Sequence, residues 1–98
     1  MPFTSTTSYT FDENNIKAYA PVSSGVYGLF VAKRHWVYIG ETNNLERRLL
    51  EHLSETGTCL SNQKPTHFTW ELSDERSRVS RQNALILELR PVCNQKLG

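Results

Sequence analysis

Two phenols, a guanidinium and an imidazole occur in this sequence at spacings suited to phosphate chemistry. Tyr27 ends the tripeptide Gly25-Val26-Tyr27, and Tyr38 begins Tyr38-Ile39-Gly40. Each tripeptide lies in a segment of strand-like alternation, and paired strands bring two such phenols to one face. Arg48 and His52 are four residues apart, so they share one face of a helix. A guanidinium fork there holds phosphate oxygens in planar, charge-assisted hydrogen bonds. Gly40, near a strand end, permits close approach of a substrate or another backbone. Taken singly, each residue has a plainer reading. A strand tyrosine is often a core-rim residue, and Arg48 is a surface cation within reach of Glu51 or Glu55. His52 is a helix-end histidine, and Asn94 is a turn residue after Pro91. Only the constellation points to a site.

The elements that position these side chains follow from periodicity. Phe11 to Tyr19 predicts a short helix with Phe11, Ile16 and Tyr19 facing inward, ended by Pro21 and Ser23-Ser24-Gly25. Val26 to Val31 and His35 to Glu41 alternate as the strands of a hairpin turned at Lys33-Arg34. Asn43 opens a helix, with Glu46 as its capping-box partner and Leu45, Leu49, Leu50 and Leu53 as its apolar stripe. The polar run 61–65 reads as loop. Thr66 to Leu72 is a third strand, with Phe68, Trp70 and Leu72 on one side. Ser73 or Asp74 caps a last helix that stops before Pro91. Its inward stripe is Val79, Gln82, Ile86 and Leu89. The expected class is α+β: a three-stranded antiparallel sheet flanked by helices. Residues 1–24 are an N-terminal extension with a short helix, and 25–98 form the domain.

Ninety-eight residues suffice for one core and little more. No apolar run reaches membrane-spanning length, and the first residues lack the basic start and apolar stretch of a secretory signal. A net charge of +1 leaves any attraction for phosphate local. Lys33, Arg34, His35, Arg47 and Arg48 form one basic cluster and Arg76, Arg78 and Arg81 another, both interleaved with acids. Cys59 and Cys93 stand apart from any metal-binding spacing. They are expected to be reduced, buried thiols of a cytoplasmic protein, not a disulfide or a zinc site.

The two tripeptides together resemble the halves of the GIY-YIG signature. Thr42, Asn44-Leu45, Arg48 and His52 follow at that family's spacing, and Leu85-Ile86, Pro91 and Asn94 resemble its closing segment. The resemblance runs from Gly25 to Asn94 and implies a metal-dependent endonuclease acting on DNA. It implies that Tyr27 helps deprotonate water, and that Tyr38 and Arg48 orient and neutralise the scissile phosphate. His52 adds a donor or proton relay. Gly40, Thr42, Arg47 and Asn94 would complete the substrate surface, Asn94 by tying the chain end to the site. A glutamate on the last helix would hold one Mg²⁺ or Mn²⁺ as a Lewis acid.

Counted from Leu85-Ile86 and from Asn94, the place of that glutamate falls on Gln82. A neutral amide is a poor ligand for a hard cation. Three explanations stand: an engineered Glu→Gln exchange, a natural branch that binds DNA without cutting, or another carboxylate in its stead. Glu41 is the nearest by sequence, Glu75 lies too far along the helix, and Glu88 is on another face. Tyr27, Tyr38, Arg48, His52 and Gln82 are expected to converge on one concave surface. A domain this small favours single-stranded or branched DNA, or a homodimer, over a long site. The alternatives are a catalytically inactive nucleic-acid-binding module and a protein-binding domain using Trp36 and Trp70.

Overall fold

Strand-like alternation on both sides of the Lys33-Arg34 segment produces a hairpin, and everything else packs against it. The computed structural model describes residue 3, residues 7–31 and residues 35–94; the Lys33-Arg34 turn lies outside them. In chain order the elements are β1 (Tyr9–Thr10), α1 (Glu13–Tyr19), β2 (Gly25–Val31), β3 (His35–Thr42), α2 (Leu45–Leu53), α3 (Cys59–Gln63), β4 (His67–Leu72) and α4 (Arg78–Leu89). The antiparallel sheet has the order β1-β4-β2-β3. It is four-stranded, one strand more than expected. Tyr9 and Thr10 pair with Phe68 and His67, and two residues are too few to show alternation in a sequence.

Side chains alternate across a strand, so the central strand β2 feeds two cores. Tyr27 and Leu29 join Ile16, Leu45, Leu49 and Phe68 on one face. Val26 joins Ile39, Leu85, Ile86 and Phe3 on the other. Helices α1 and α2 therefore cover the first face and α4 the second. Each fully buried aliphatic side chain stabilises the fold by about 1.5–3 kcal/mol relative to exposure. These two clusters hold the sheet between its layers.

Several helix boundaries differ from the periodic reading, each through local hydrogen bonding. Asp12 caps α1 by accepting from the Asn15 backbone N–H (2.8 Å), which leaves Phe11 outside the helix. Tyr19 is exposed and stacks on Tyr9, with ring centroids 4.4 Å apart. Asn44, not Asn43, caps α2 and accepts from the Arg47 N–H at 3.0 Å, while Asn43 Oδ1 accepts from the Arg47 guanidinium. Glu46 is therefore not a capping-box partner. Part of the expected loop at 61–65 belongs to α3, where Thr58 and Ser61 form a reciprocal capping box. Five residues carry no full apolar period, so this helix is invisible to a pattern search.

Asp74 caps a preceding turn through the Ser77 N–H (2.9 Å), and α4 starts only at Arg78. Its buried positions are Leu85 and Ile86, and Val79 is exposed. Leu53, expected on the apolar stripe of its helix, and Leu72, expected on the side of Phe68 and Trp70, are exposed as well. Arg90 ends α4 in the left-handed region, immediately before Pro91 as anticipated.

The cysteines also differ from expectation. Cys59 and Cys93 form a disulfide across 34 residues, with Cα atoms 5.8 Å apart. Their encounter is a tertiary event. The Val92 and Cys93 N–H groups bond to the Trp36 and Val37 carbonyls, laying the C-terminal segment along the free edge of β3 beside α3. In the chain-entropy account, a closed loop of that length stabilises the fold by about 4 kcal/mol.

Candidate active site

Tyr27 reaches from the central strand into the α2 layer, where its hydroxyl lies 2.6 Å from His52 Nε2. Helical spacing then sets the neighbours. His52 Nδ1 lies 2.9 Å from Glu55 Oε2, and Glu55 Oε1 accepts from the Thr58 hydroxyl at 3.3 Å. Tyr38 comes from β3, its ring centroid 6.2 Å from that of Tyr27 and 5.3 Å from that of His52. Arg48, one turn before His52, completes the group and pairs with Glu51 at 3.0 Å. Beside these residues opens a cleft of about 210 Å³, bordered by Tyr38, Arg48, His52, Glu55, Thr58 and the disulfide. The structure thus brings Tyr27, Tyr38, Arg48 and His52 together, with Tyr27 buried beneath the others.

Burial decides the protonation states. Loss of solvent pushes the Tyr27 phenol far above its ordinary range; nearby Tyr38 adds to this, and the Arg48 guanidinium opposes it incompletely. Tyr27 is therefore a neutral phenol at rest. Burial also holds the His52 imidazole below its ordinary value, Arg48 adds to the effect, and Glu55 opposes it. Arg48 is itself disfavoured by burial, but its bond to Glu51 and the neighbouring tyrosines outweigh that and hold its charge firmly. A neutral imidazole beside a neutral phenol and a fixed cation can accept a proton from the phenol as the phenol receives one.

The remaining predicted residues are placed differently. Gly40 packs directly on the pair: a Cβ there would meet the Tyr27 hydroxyl, and would lie 2.6 Å from Tyr27 Cζ and 2.9 Å from Tyr38 Cε2. Thr42 is buried, its hydroxyl donating to the Asn44 carbonyl and accepting from the Asn44 N–H, which shapes the entry to α2. Arg47 points outward, bonded to Asn43. Asn94 grips the free edge of β3 at Ile39, Oδ1 accepting from the N–H (2.6 Å) and Nδ2 donating to the carbonyl (2.9 Å). It thereby holds the backbone between Tyr38 and Gly40. Glu55 was not singled out by sequence; its spacing of three from His52 is the one signal that pointed to it.

Gln82 is not among the residues that border this cleft. It lies on α4, which packs on the opposite face of the sheet, and its side chain donates to Asn83 Oδ1 at 3.3 Å. Two carboxylates face that helix. Arg78 holds Glu41 at 3.0 Å, and Arg81 holds Glu71 at 2.7 and 3.1 Å. Glu75 precedes the helix.

A small α+β domain that gathers two phenols, an imidazole and a guanidinium beside one cleft has the equipment to handle phosphate by proton transfer and charge. The family model of the GIY-YIG catalytic domain matches residues 23–91, and the chain belongs to this family of nuclease domains. Among solved structures, it resembles the GIY-YIG N-terminal endonuclease domain of UvrC from Thermotoga maritima. With the magnesium-bound form it shares 25% identity and a TM-score of 0.70, over 83% of this chain and 92% of that one. A point mutant of the same domain, bound to its catalytic divalent cation, gives 23% identity and a TM-score of 0.71, over 85% and 93%. No curated protein matches the chain.

The residues present do not fit a divalent cation at the position the resemblance assigns to it. Gln82 offers a neutral amide, and Glu41 and Glu71 are each neutralised by an arginine. Among the described residues, no group of three or more His, Cys, Asp or Glu side chains is placed to hold an ion. Nor is any helix among them long and apolar enough to cross a membrane.

Proposed function

We propose that this domain binds DNA phosphodiesters at the Tyr38–Arg48 rim and activates water for their hydrolysis through Tyr27 and His52. The observation that carries this reading is the 2.6 Å bond between the Tyr27 hydroxyl and His52 Nε2 beneath the arginine-bearing rim. Arg48 is engaged by the Tyr27 hydroxyl and by the exposed Glu51 pair, the latter worth about 0–1 kcal/mol. A charge-assisted bond to a phosphate oxygen is worth about 1.5–3 kcal/mol. Exchange of Glu51 for a phosphate is therefore favourable, and it moves Arg48 off the buried phenol. Water reaching Tyr27 then gives its proton to the phenol oxygen while the phenol proton passes to His52 Nε2. The hydroxide attacks phosphorus, the leaving oxygen takes a proton from solvent, and His52 returns its own to solvent. Tyr38 and Gly40 keep the phenol in place.

The neutral amide of Gln82 favours a second reading, a module that holds DNA without cutting it. The chain and its Gln82→Glu variant should be tested on single-stranded, duplex and branched DNA with Mn²⁺ present. Under the first reading Gln82→Glu raises cleavage by orders of magnitude, about tenfold per 1.4 kcal/mol of added transition-state stabilisation. Tyr27→Phe in that background abolishes it. Salt-dependent binding with no cleavage by either chain establishes the second reading. Absence of salt-dependent binding removes both.

A further inference from the structure

We infer that Glu55 is a positioning residue for this site, fixing the His52 tautomer that keeps Nε2 free to accept the Tyr27 proton. The inference rests on the reading of Tyr27 and His52 as a proton-transfer pair. Both ring nitrogens of the buried His52 are engaged, Nδ1 by Glu55 Oε2 at 2.9 Å and Nε2 by the Tyr27 hydroxyl at 2.6 Å. A carboxylate only accepts hydrogen bonds, so the ring proton lies on Nδ1 and Tyr27 is the donor at Nε2. With its proton committed to His52, the phenol oxygen can accept from an incoming water once Arg48, which also hydrogen-bonds it, turns to phosphate.

Glu55 is held for this task from both sides, its second oxygen accepting from the Thr58 hydroxyl that also caps α3. A surface glutamate pairing along its own helix would not need that second anchor. Without Glu55 the ring is free to carry its proton on Nε2. That N–H would point at Tyr27 and remove the acceptor that His52 offers its proton. The charged and titratable groups around His52 are Tyr27 from β2, Tyr38 from β3, Arg48, Glu51 and Glu55 from and just after α2, and Lys64 after α3. Of these, Glu55 alone reaches Nδ1.

The test is long-range ¹H–¹⁵N NMR of the His52 ring across a pH titration, in the full chain and in Glu55→Gln and Glu55→Ala. The unaltered chain should show the Nδ1–H tautomer. Glu55→Gln should keep it, since the amide oxygen still accepts, but its titration midpoint should fall because the negative charge is gone. Glu55→Ala should lose the preference and show mixed tautomers, with backbone amide shifts away from the cleft unmoved. Unchanged ring nitrogen shifts in a folded Glu55→Ala variant overturn the inference. If that variant does not fold, an unshifted midpoint in Glu55→Gln does the same.

In the Gln82→Glu background, Glu55→Ala should lower kcat roughly 10²-fold, as expected for disabling a positioned acid–base group. KM and DNA affinity should stay unchanged, and Glu55→Gln should recover part of the rate. A parallel loss of affinity would instead assign Glu55 to substrate binding. If no variant cleaves, the nuclease reading fails, and the ring tautomer still decides the place of Glu55.

Discussion

Replacing Gly40 by alanine adds one methyl group at the point where the two tyrosines meet. The new Cβ would lie 2.6 Å from Tyr27 Cζ and 2.9 Å from Tyr38 Cε2, and would press on the Tyr27 hydroxyl. Ordinary contact begins near 3.4 Å, so the rings must give way by half an ångström or more. Tyr38 is partly exposed and can yield. Tyr27 cannot, being fully buried and held at its tip by His52. Overpacking of this kind costs about 1–3 kcal/mol. In a domain of this size each kcal/mol lowers Tm by about 4–8 °C.

The decisive measurement is a double-mutant cycle in urea, with Gly40→Ala placed in the native and Tyr27→Phe backgrounds. Tyr27→Phe deletes the atom that the methyl group strikes most closely, so the cost of Gly40→Ala should be smaller there by about 0.5–3 kcal/mol, the usual range for residues in contact. Equal costs in the two backgrounds would refute the claim that Gly40 is there to seat the Tyr27 hydroxyl.

Three further outcomes are expected. Arg48→Ala should flatten the dependence of log K on log salt by about 0.9 for duplex DNA or about 0.7 for a single strand. Stability should change by no more than about 0.5 kcal/mol, and an unchanged slope would show that Arg48 does not touch phosphate. The Cys59→Ser, Cys93→Ser double variant should lose about 4 kcal/mol of unfolding free energy, the amount expected for a 34-residue loop; equal stability with and without a dithiol reductant would refute the link. Because the His52 pKa is depressed in the fold, the unfolded chain takes up the proton first. Its contribution to stability is complete above about pH 6.5 and is lost as pH falls through the folded value. His52→Asn should remove that part of the slope, as read by denaturation between pH 7 and 4.

Much of the site was legible in the sequence because its residues are tied to regular elements. Tyr27 and Tyr38 sit on strands whose alternation forces a hairpin, and Arg48 and His52 share a helix face by spacing alone. The two tripeptides, with Arg48 and His52 after them, were enough to indicate the family. Tertiary structure decided the rest. It paired Tyr9 and Thr10 with β4, built α3 from a Thr58–Ser61 capping box, and delayed α4 until after the Asp74 turn. It joined Cys59 to Cys93 across 34 residues, although the pair had read as reduced thiols. It also packed α4, through Leu85 and Ile86, against the face of the sheet opposite Tyr27. Periodicity reports which face of an element is apolar, whereas which layer that face meets depends on contacts between distant residues. Glu55 shows the same division: its spacing from His52 was in the sequence, but its role follows only once Tyr27 occupies the other ring nitrogen.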